Sequence, residues 1–387
     1  MATAVSFFVI IVALAVTAGF RQAIREGVAS FAGDIRIEPY QTVSAEPRPM
    51  SWPLPSEAAL EALPGVLSLD PAVIRPGIVK NGDIVHGVVV KGVPVSEAEA
   101  PEGASAIILA TEGASASEPA PLAVSIPYRL AEITGLGVGD PLVTYFVGEK
   151  VRVRKFTISA LHRDVLELDD QLVVYAPLED LQRLNGWDST QVSCLDVRLR
   201  PGLPRQETEQ LAGQISSLLL NSGHPEEENL YVSASSQRFP QVFDWLELLE
   251  GNVLFILVLM TLVAGFNMIS GLLIMLLRNI STIGTLKTLG MDNRSIGRLF
   301  IRVGAGAVLK GMLAGNALAL LFCLIQGTSH LIPLDPVNYY VAWVPVHVNV
   351  PAILLADAVC FAVILLLLWL PARLVSTIDP AATVKAD

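Results

Sequence analysis

The sequence predicts a membrane protein of four transmembrane helices that carries a large α+β extracytoplasmic domain. Long apolar runs, a basic loop directly behind one of them, and a polar middle of short alternating segments predict it. The clearest run is Val253 to Leu277, about 25 residues without a charge, enough to cross the roughly 30 Å hydrocarbon core of a bilayer. Composition agrees: the 387 residues are 52% hydrophobic and 16% charged, with mean hydropathy +0.55, too apolar for an ordinary soluble protein. Net charge is −11, with acids mostly between positions 26 and 250 and bases crowded behind Leu277, a distribution that argues against nucleic-acid binding. Cys323 and Cys360 fall in apolar runs, and Cys194 stands by itself in the polar half. The cysteines therefore suggest neither a disulfide there nor a metal cluster, and all three are expected only to pack.

In chain order, residues 1–20 form an apolar run just long enough to span, closed by Arg21 and Arg25. A cleaved signal peptide is the rival reading, with Ala13, Ala15 and Ala18 as cleavage candidates. The run lacks a basic n-region and a polar break, which favours an uncleaved anchor. Residues 21–245 read as the extracytoplasmic domain. Ile35 to Glu38 alternates as a strand, and Ser56 to Leu63 reads as a short helix N-capped by Ser56. Val73-Ile74 and Ile84 to Val90 are strands about the hairpin signal Asn81-Gly82-Asp83. Glu97 to Pro121, rich in Ala, Ser, Glu, Gly and Pro, reads as an excursion from the core. Further strands are expected at Val143 to Val147, Arg152 to Ala160 and Gln171 to Tyr175. Cys194 to Leu199, Arg205 to Leu220 and Leu230 to Ser233 then restore a β-α-β rhythm.

The second span occupies 246–277, and a cytosolic loop follows at 278–299. Its bases Arg278, Lys287, Arg294 and Arg298 face the single acid Asp292, the bias of loops retained in the cytoplasm. Ile283, Leu286 and Gly290 recur as one face of a short helix, which calls for a partner. In the third span, 300–326, Ala307, Gly311, Gly315 and Ala319 recur at every fourth position and permit close helix packing; the plainer account is that small residues are common in membrane helices. Asp292 is placed to N-cap this helix, with Arg294, Arg298 and Arg302 on one stripe towards the headgroups. A polar loop at 327–349 leads to the last span, 350–371, and a cytosolic tail, 372–387. Lys310 and Asp357 are charges inside spans, either reaching their own interfaces or pairing with each other. Two apolar stripes, Val9, Val12, Val16 and Phe20 on the first span and Leu257, Met260, Ala264 and Met268 on the second, are read either as helix packing or as the lining of an acyl-chain cavity. The adaptable methionines suit the cavity.

No Gly-x-x-x-x-Gly-Lys-Ser/Thr loop occurs, so the sequence offers no phosphate loop of that kind to cradle a nucleotide. No catalytic residues are assigned: His86, His162, His224, His330 and His347 are scattered without evident partners, and no zinc spacing is present.

The layout of one helix, a large extracytoplasmic domain and three helices resembles the MacB/FtsX-like permeases, or type VII ABC transporters. More narrowly it resembles the lipoprotein-releasing permeases of the LolC and LolE kind. The run Ile-Gly-Thr-Leu-Lys-Thr-Leu-Gly (283–290) looks like that family's coupling-helix motif. Lys-Gly-Met-Leu-Ala-Gly-Asn (310–316), Leu-Asp-Pro-Val-Asn-Tyr-Tyr-Val-Ala-Trp-Val-Pro-Val (334–346) and Leu-Pro-Ala-Arg-Leu-Val-Ser-Thr-Ile-Asp-Pro (370–380) agree with it, as does Leu-Asn-Gly-Trp-Asp-Ser-Thr-Gln-Val-Ser (184–193). The chain departs from the family pattern in showing no cytosolic elbow ahead of the first span, and in the low complexity of 97–121.

The resemblance implies two extracytoplasmic subdomains, Porter (about 30–95 and 193–245) and Sabre (about 96–192), and an FtsX-like permease domain over 246–387. It implies coupling to an ATPase through Ile283, Leu286, Lys287 and Gly290. The implied partners are a LolD-like ATPase dimer holding ATP and Mg, a second permease subunit (homodimer or LolC/LolE-type heterodimer), a lipoprotein substrate and a periplasmic carrier. The expected role is extraction of lipoproteins from the bacterial inner membrane by mechanotransmission, the chain itself being no enzyme. The alternative is an FtsX-like regulator of a periplasmic cell-wall hydrolase, without transport.

Overall fold

The computed structural model describes residues 1–40, 47–94, 122–148, 151–162, 172–335, 339, 341 and 343–374. The low-complexity stretch 97–121 and most of the expected cytosolic tail lie outside the described residues. The chain divides into two compact units, one formed by 1–22, 244–334 and 343–387, the other by 23–243 and 335–342.

The second unit is built on a nine-stranded sheet. Its strands are β1 (Ile35–Pro39), β3 (Val66–Asn81), β4 (Ile84–Val93), β5 (Ala123–Pro127), β6 (Pro141–Phe146), β7 (Arg152–His162), β8 (Leu172–Pro177), β10 (Cys194–Leu199) and β11 (Leu230–Ala234), in the order β11-β1-β10-β3-β4-β8-β5-β7-β6. β2 (Met50–Ser51) and β9 (Gln191–Val192) pair separately. The helix α5 (Arg205–Leu220) lays Leu211, Ala212, Ile215 and Leu219, a stripe at helical spacing, on the first core with Ile35, Ile37, Leu60, Leu195 and Val197. A second core gathers Val73, Val79, Val88, Val90, Phe146, Phe156 and Val174.

The two cores meet inside β3. Its first half pairs with β10, and its second half with β4 and β6. Residues 73–93 thus pack with the middle of the chain, whereas the sequence reading kept everything to about 95 with the flanking pieces. The cause is one uninterrupted 16-residue strand, of which only Val73-Ile74 stood out from pattern. Gly77 allows the close crossing, since a Cβ there meets Thr144 Cγ2 at 2.8 Å.

Among the helices that escaped the sequence reading are α3 (Tyr128–Thr134) and α4 (Leu178–Asn185). Each follows a strand through a proline, Pro127 or Pro177, and ends on a left-handed glycine, Gly135 or Gly186. α2 (Glu57–Glu61) does begin after Ser56, but the Ser56 hydroxyl makes no cap bond. It donates instead to Glu227 Oε2 at 2.6 Å, while the Ser56 amide donates to Oε1 at 2.8 Å.

The first unit is helical. Among the described residues, four helices are long and apolar enough to cross a membrane: α1 (Ala2–Ala32), α7 (Pro240–Arg278), α9 (Asn293–Ser329) and α10 (Val350–Leu374). α1, α7 and α9 extend past the expected spans because amphipathic ends, burying Ile24 and Val28, Val242 and Leu246, and Ile296, carry these helices beyond their apolar cores. α6 (Ser235–Arg238) precedes α7, and α8 (Ile280–Thr288) links α7 to α9, with Asp292 at the N-cap of α9. Phe7, Ile10, Ala264, Leu272, Phe300, Val308, Ile364 and Leu368 close the helical core. Phe255, Phe266, Leu313, Leu321 and Leu324 face outward, as helices apolar on all sides require of a lipid surroundings. Asp357 is buried and accepts a bond from Asn316 Nδ2 at 2.5 Å, while Lys310 is exposed, so the two intramembrane charges do not pair with each other.

Candidate functional site

Three places in the helical unit bear on function. The first is a cavity of about 250 Å³ at the end of the helices where α1 approaches residue 21, α7 leaves residue 250 and α10 begins. Leu14, Ala15, Ala18, Val253, Leu254, Leu257, Ala352 and Ile353 make its wall apolar, whereas Arg21, Glu250, His347 and Asn349 make its rim polar. Arg21 and Glu250 form an ion pair at 3.2 Å across the rim, with about half of each side chain exposed. The His347 amide donates to the Ala15 carbonyl at 3.0 Å and fixes the loop over α1. Gly19 makes room there, because a Cβ would strike the backbone of Pro345 and Val346. An apolar slot with a charged rim suits an amphiphile, the tail inside and the head at the rim.

Of the eight apolar positions singled out from sequence, Leu257 lines this cavity. Met260, Ala264 and Met268 pack in the helical core beside Phe7, Ile10 and Cys360. Val12 packs beside Ile11, Ala319 and Ile353, Val9 and Val16 are half-buried, and Phe20 stands edge-on to Trp245 at 5.7 Å. Seen in the fold, these stripes are chiefly helix–helix contacts. The cavity uses the neighbouring face of α1, one helical step away from the stripe.

The second place is α8. Ile283 is 1% exposed and packs with Leu272, Leu276, Ile296 and Phe300, with Leu286 beside them. The apolar face expected to meet a partner is therefore turned onto the chain's own core, because burying it there removes it from water without waiting for a second protein. The open side presents Ser281, Thr282, Thr285, Thr288 and Leu289, with Lys287 half-buried. Leu289 is 79% exposed, and Gly290 ends the turn at φ +89.

The third is the small-residue face of α9. A Cβ on Gly315 meets the Ala4 carbonyl oxygen at 2.5 Å and Phe7 Cβ at 2.9 Å, and one on Gly311 strikes Thr3. Gly311, Gly315 and the wholly buried Ala319 thus seat α1 against α9, whereas Ala307 is exposed.

In the sheet unit the sequence reading missed a buried ionic cluster. Arg36 donates to Asp196 through Nε at 2.6 Å and a terminal nitrogen at 3.1 Å, and Lys91 Nζ donates to Asp196 Oδ2 at 2.7 Å. Burial by itself pushes the Asp196 carboxyl up, but the Arg36 and Lys91 charges outweigh it and hold the group well below the usual carboxylate range. The signal was present as a charge between Ile35 and Ile37 opposite another between Leu195 and Val197, with Arg36 and Asp196 in register. It went unread because alternation alone assigns such charges to solvent. His162, read as partnerless, sits 2.8 Å from Ser125 Oγ and edge-on to Tyr175 at 5.1 Å. Ser125 is wholly buried, so the pair presents no nucleophile at the surface.

Comparison with known proteins gives these features a family. The MacB-like periplasmic core domain family matches residues 1–215, and the FtsX-like permease C-terminal family matches residues 254–380. The chain belongs to the MacB-like, FtsX-like ABC permeases. One relative, "Lipoprotein-releasing system transmembrane protein LolC" of Xylella fastidiosa (strain 9a5c), is 22% identical over 278 residues, which is 67% of this chain and 63% of the relative. "Lipoprotein-releasing system transmembrane protein LolE" of Haemophilus influenzae is 24% identical over 233 residues, 57% of this chain and 54% of the relative. The chain thus spans only part of each relative's length. Among solved structures, the periplasmic region of MacB from Actinobacillus actinomycetemcomitans is 10% identical at TM-score 0.30, covering 56% of this chain and 95% of that one. The extracellular domain of YknZ from Gram-positive bacteria is 12% identical at TM-score 0.30, covering 51% and 98%.

Proposed function

We propose that this chain is the permease subunit of an ABC transporter that extracts lipoproteins from the bacterial inner membrane, driven by ATP hydrolysis on a separate ATPase. The amphiphilic cavity among α1, α7 and α10 supports this reading. Its apolar wall suits an acyl chain, each buried methylene of which is worth roughly 0.8 kcal/mol, and its polar rim suits the head. The open side of α8, with the exposed Leu289 just past its end, is the surface on which the ATPase pushes. A second permease subunit, identical or a sister, completes the transporter, and a carrier receives the cargo on the far side.

Photo-crosslinkers test this at Leu257, in the cavity wall, and at Met260, in the packed core. Leu257 should capture a triacylated lipopeptide before ATP is added and lose it afterwards, and Met260 should capture only neighbouring helices. Capture of helices alone from both positions, unchanged by ATP, overturns the transport reading in favour of the FtsX-like regulator.

A further inference from the structure

The helix α1 runs unbroken from Ala2 to Ala32 and stops at Gly33, which has φ +66. The last carbonyls of any helix lack intrahelical partners. Here two of them find cations, the buried Lys91 and the half-buried Arg238: Lys91 Nζ donates to the Phe31 carbonyl at 2.6 Å, and an Arg238 terminal nitrogen donates to the Ala32 carbonyl at 3.1 Å. Lys91 lies on β4 and simultaneously holds Asp196 on β10, while Asp196 holds Arg36 on β1. Gly33 touches the same carboxylate's side chain, since a Cβ on it meets Asp196 Cβ at 2.9 Å. Arg238 stands two residues ahead of Pro240, where α7 begins, and its guanidinium lies over Phe239. Phe239 in turn packs on Phe31, with ring centroids 6.4 Å apart.

Three cations, Arg36, Lys91 and Arg238, thus surround one carboxylate and one helix end. The partial negative charge of a helix C-terminus supplies part of the balance. At Arg238, burial first and the Arg36 charge second pull the guanidinium down to about 10, against the opposing pull of Asp196 and Glu38. Packing alone does not call for that arrangement, because an apolar residue at 238 would avoid both costs.

We propose that Asp196, Arg36, Lys91 and Arg238 form a force-bearing joint that locks the root of α1 to β1, β4, β10 and the approach to α7, with Arg238 as a positioning residue that carries helix movement into the sheet. The joint rests on the proposed ATP-driven action of the helices, but not on what is transported. A solvated joint would be slack, whereas the side chains of Asp196, Arg36 and Lys91 are each 5% exposed or less. One carboxylate thereby ties three strands and a helix end into a single moving part.

The test uses the full chain purified with its ATPase subunit, reading amide hydrogen exchange on β4 and β10 with and without ATP. In the wild type, ATP should change exchange on both strands. Arg238→Met should keep ATP hydrolysis and thermal stability, because it removes a repulsion with Arg36, yet shrink the ATP-dependent change about tenfold, and Arg238→Lys should restore it in part. Lys91→Met gives the same reading if Arg238→Met does not fold. A wild-type-sized response in the methionine variants, or no response of β4 and β10 in the wild type, overturns the joint. Release of a triacylated lipopeptide, followed in the same samples, reports separately on transport: no release with an intact, Arg238-dependent exchange response sinks the transport reading and leaves the joint standing.

Discussion

The sheet unit and the helical unit each bury a carboxylate, and they treat it in opposite ways. Asp196 sits among cations, with both oxygens bonded and its charge held. Asp357 has an amide, Asn316, for a partner, and Oδ1 of each residue is buried without a hydrogen-bond partner. In a domain surrounded by water, a buried ionic knot fixes one arrangement of strands, because any rearrangement strands a charge. In the helical unit, small residues do the equivalent work: Gly311, Gly315 and Ala319 fix how α1 and α9 approach, and the polar pair is incidental to that fit. Specificity is thus written in charge on one side of the chain and in side-chain volume on the other.

The largest effect should come from breaking the knot. Asp196→Ala leaves Arg36 and Lys91 buried without their carboxylate and should cost about 3–5 kcal/mol, read as loss of thermal stability of the full chain in detergent. The same carboxylate sets a pH dependence. Its folded pKa lies below its unfolded value, so its contribution is present above the ordinary carboxylate range near 3.8 and is lost as pH falls through the folded value. Wild type should lose sheet-unit stability on acidification below about pH 4, and a variant without Asp196 should lose less there. Equal acid sensitivity of the two would show that the knot does not govern stability.

The next effect should come from volume. Gly315→Leu places a side chain where even a Cβ lies 2.5 Å from the Ala4 carbonyl oxygen, and overpacking of this kind costs about 1–3 kcal/mol. Ala307→Leu, on the same stripe but exposed, should be neutral. Disulfide trapping between cysteines on α1 and α9 checks the pair. Equal loss of trapping in both would mean that the stripe as a whole, and not its buried part, sets the packing.

Topology sharpens the comparison without an energy. A cysteine at Ser281, on the open side of α8, and one at Asp83, in the exposed hairpin turn, should label with impermeant reagents from opposite sides of the membrane in a background lacking the native cysteines. Ser125 would be a poor probe, because it is wholly buried. Labelling of both positions from outside intact cells would break the four-span arrangement.

How much of this was legible follows from the kind of signal each feature leaves. The spans, β10 and α5 were read from pattern, because length, charge and period are local properties. The helices α3 and α4 were legible in retrospect: a strand, a proline, a short helix and a glycine occur twice, at Ala123 to Gly135 and at Leu172 to Gly186. Each is too short to show a period. The knot was not legible, since Arg36, Lys91 and Asp196 lie far apart in sequence and alternation assigns each to water. The cavity escaped for a related reason. A stripe on a helix says which residues share a face, but not which of two adjacent faces another helix will cover, and α9 and α10 took the one that the pattern favoured.

The smallest effect should come from the pair in the helical unit. Asp357→Leu on its own leaves Asn316 Nδ2 buried without its acceptor and should cost about 1–3 kcal/mol. Replacing both partners with apolar groups removes that penalty together with two oxygens that have no partner, so Asp357→Leu combined with Asn316→Leu should be near neutral or stabilising. Thermal unfolding of the single and double variants in detergent measures the coupling between the two positions. Near-additive losses, with the double variant worse than either single one, would mean that the polar pair holds α9 to α10 as the ionic knot holds its strands, and the contrast between charge and volume would fail. Recovery in the double variant, beside an Asp196→Ala loss that no apolar neighbour substitution repairs, would place the two units on opposite sides of it.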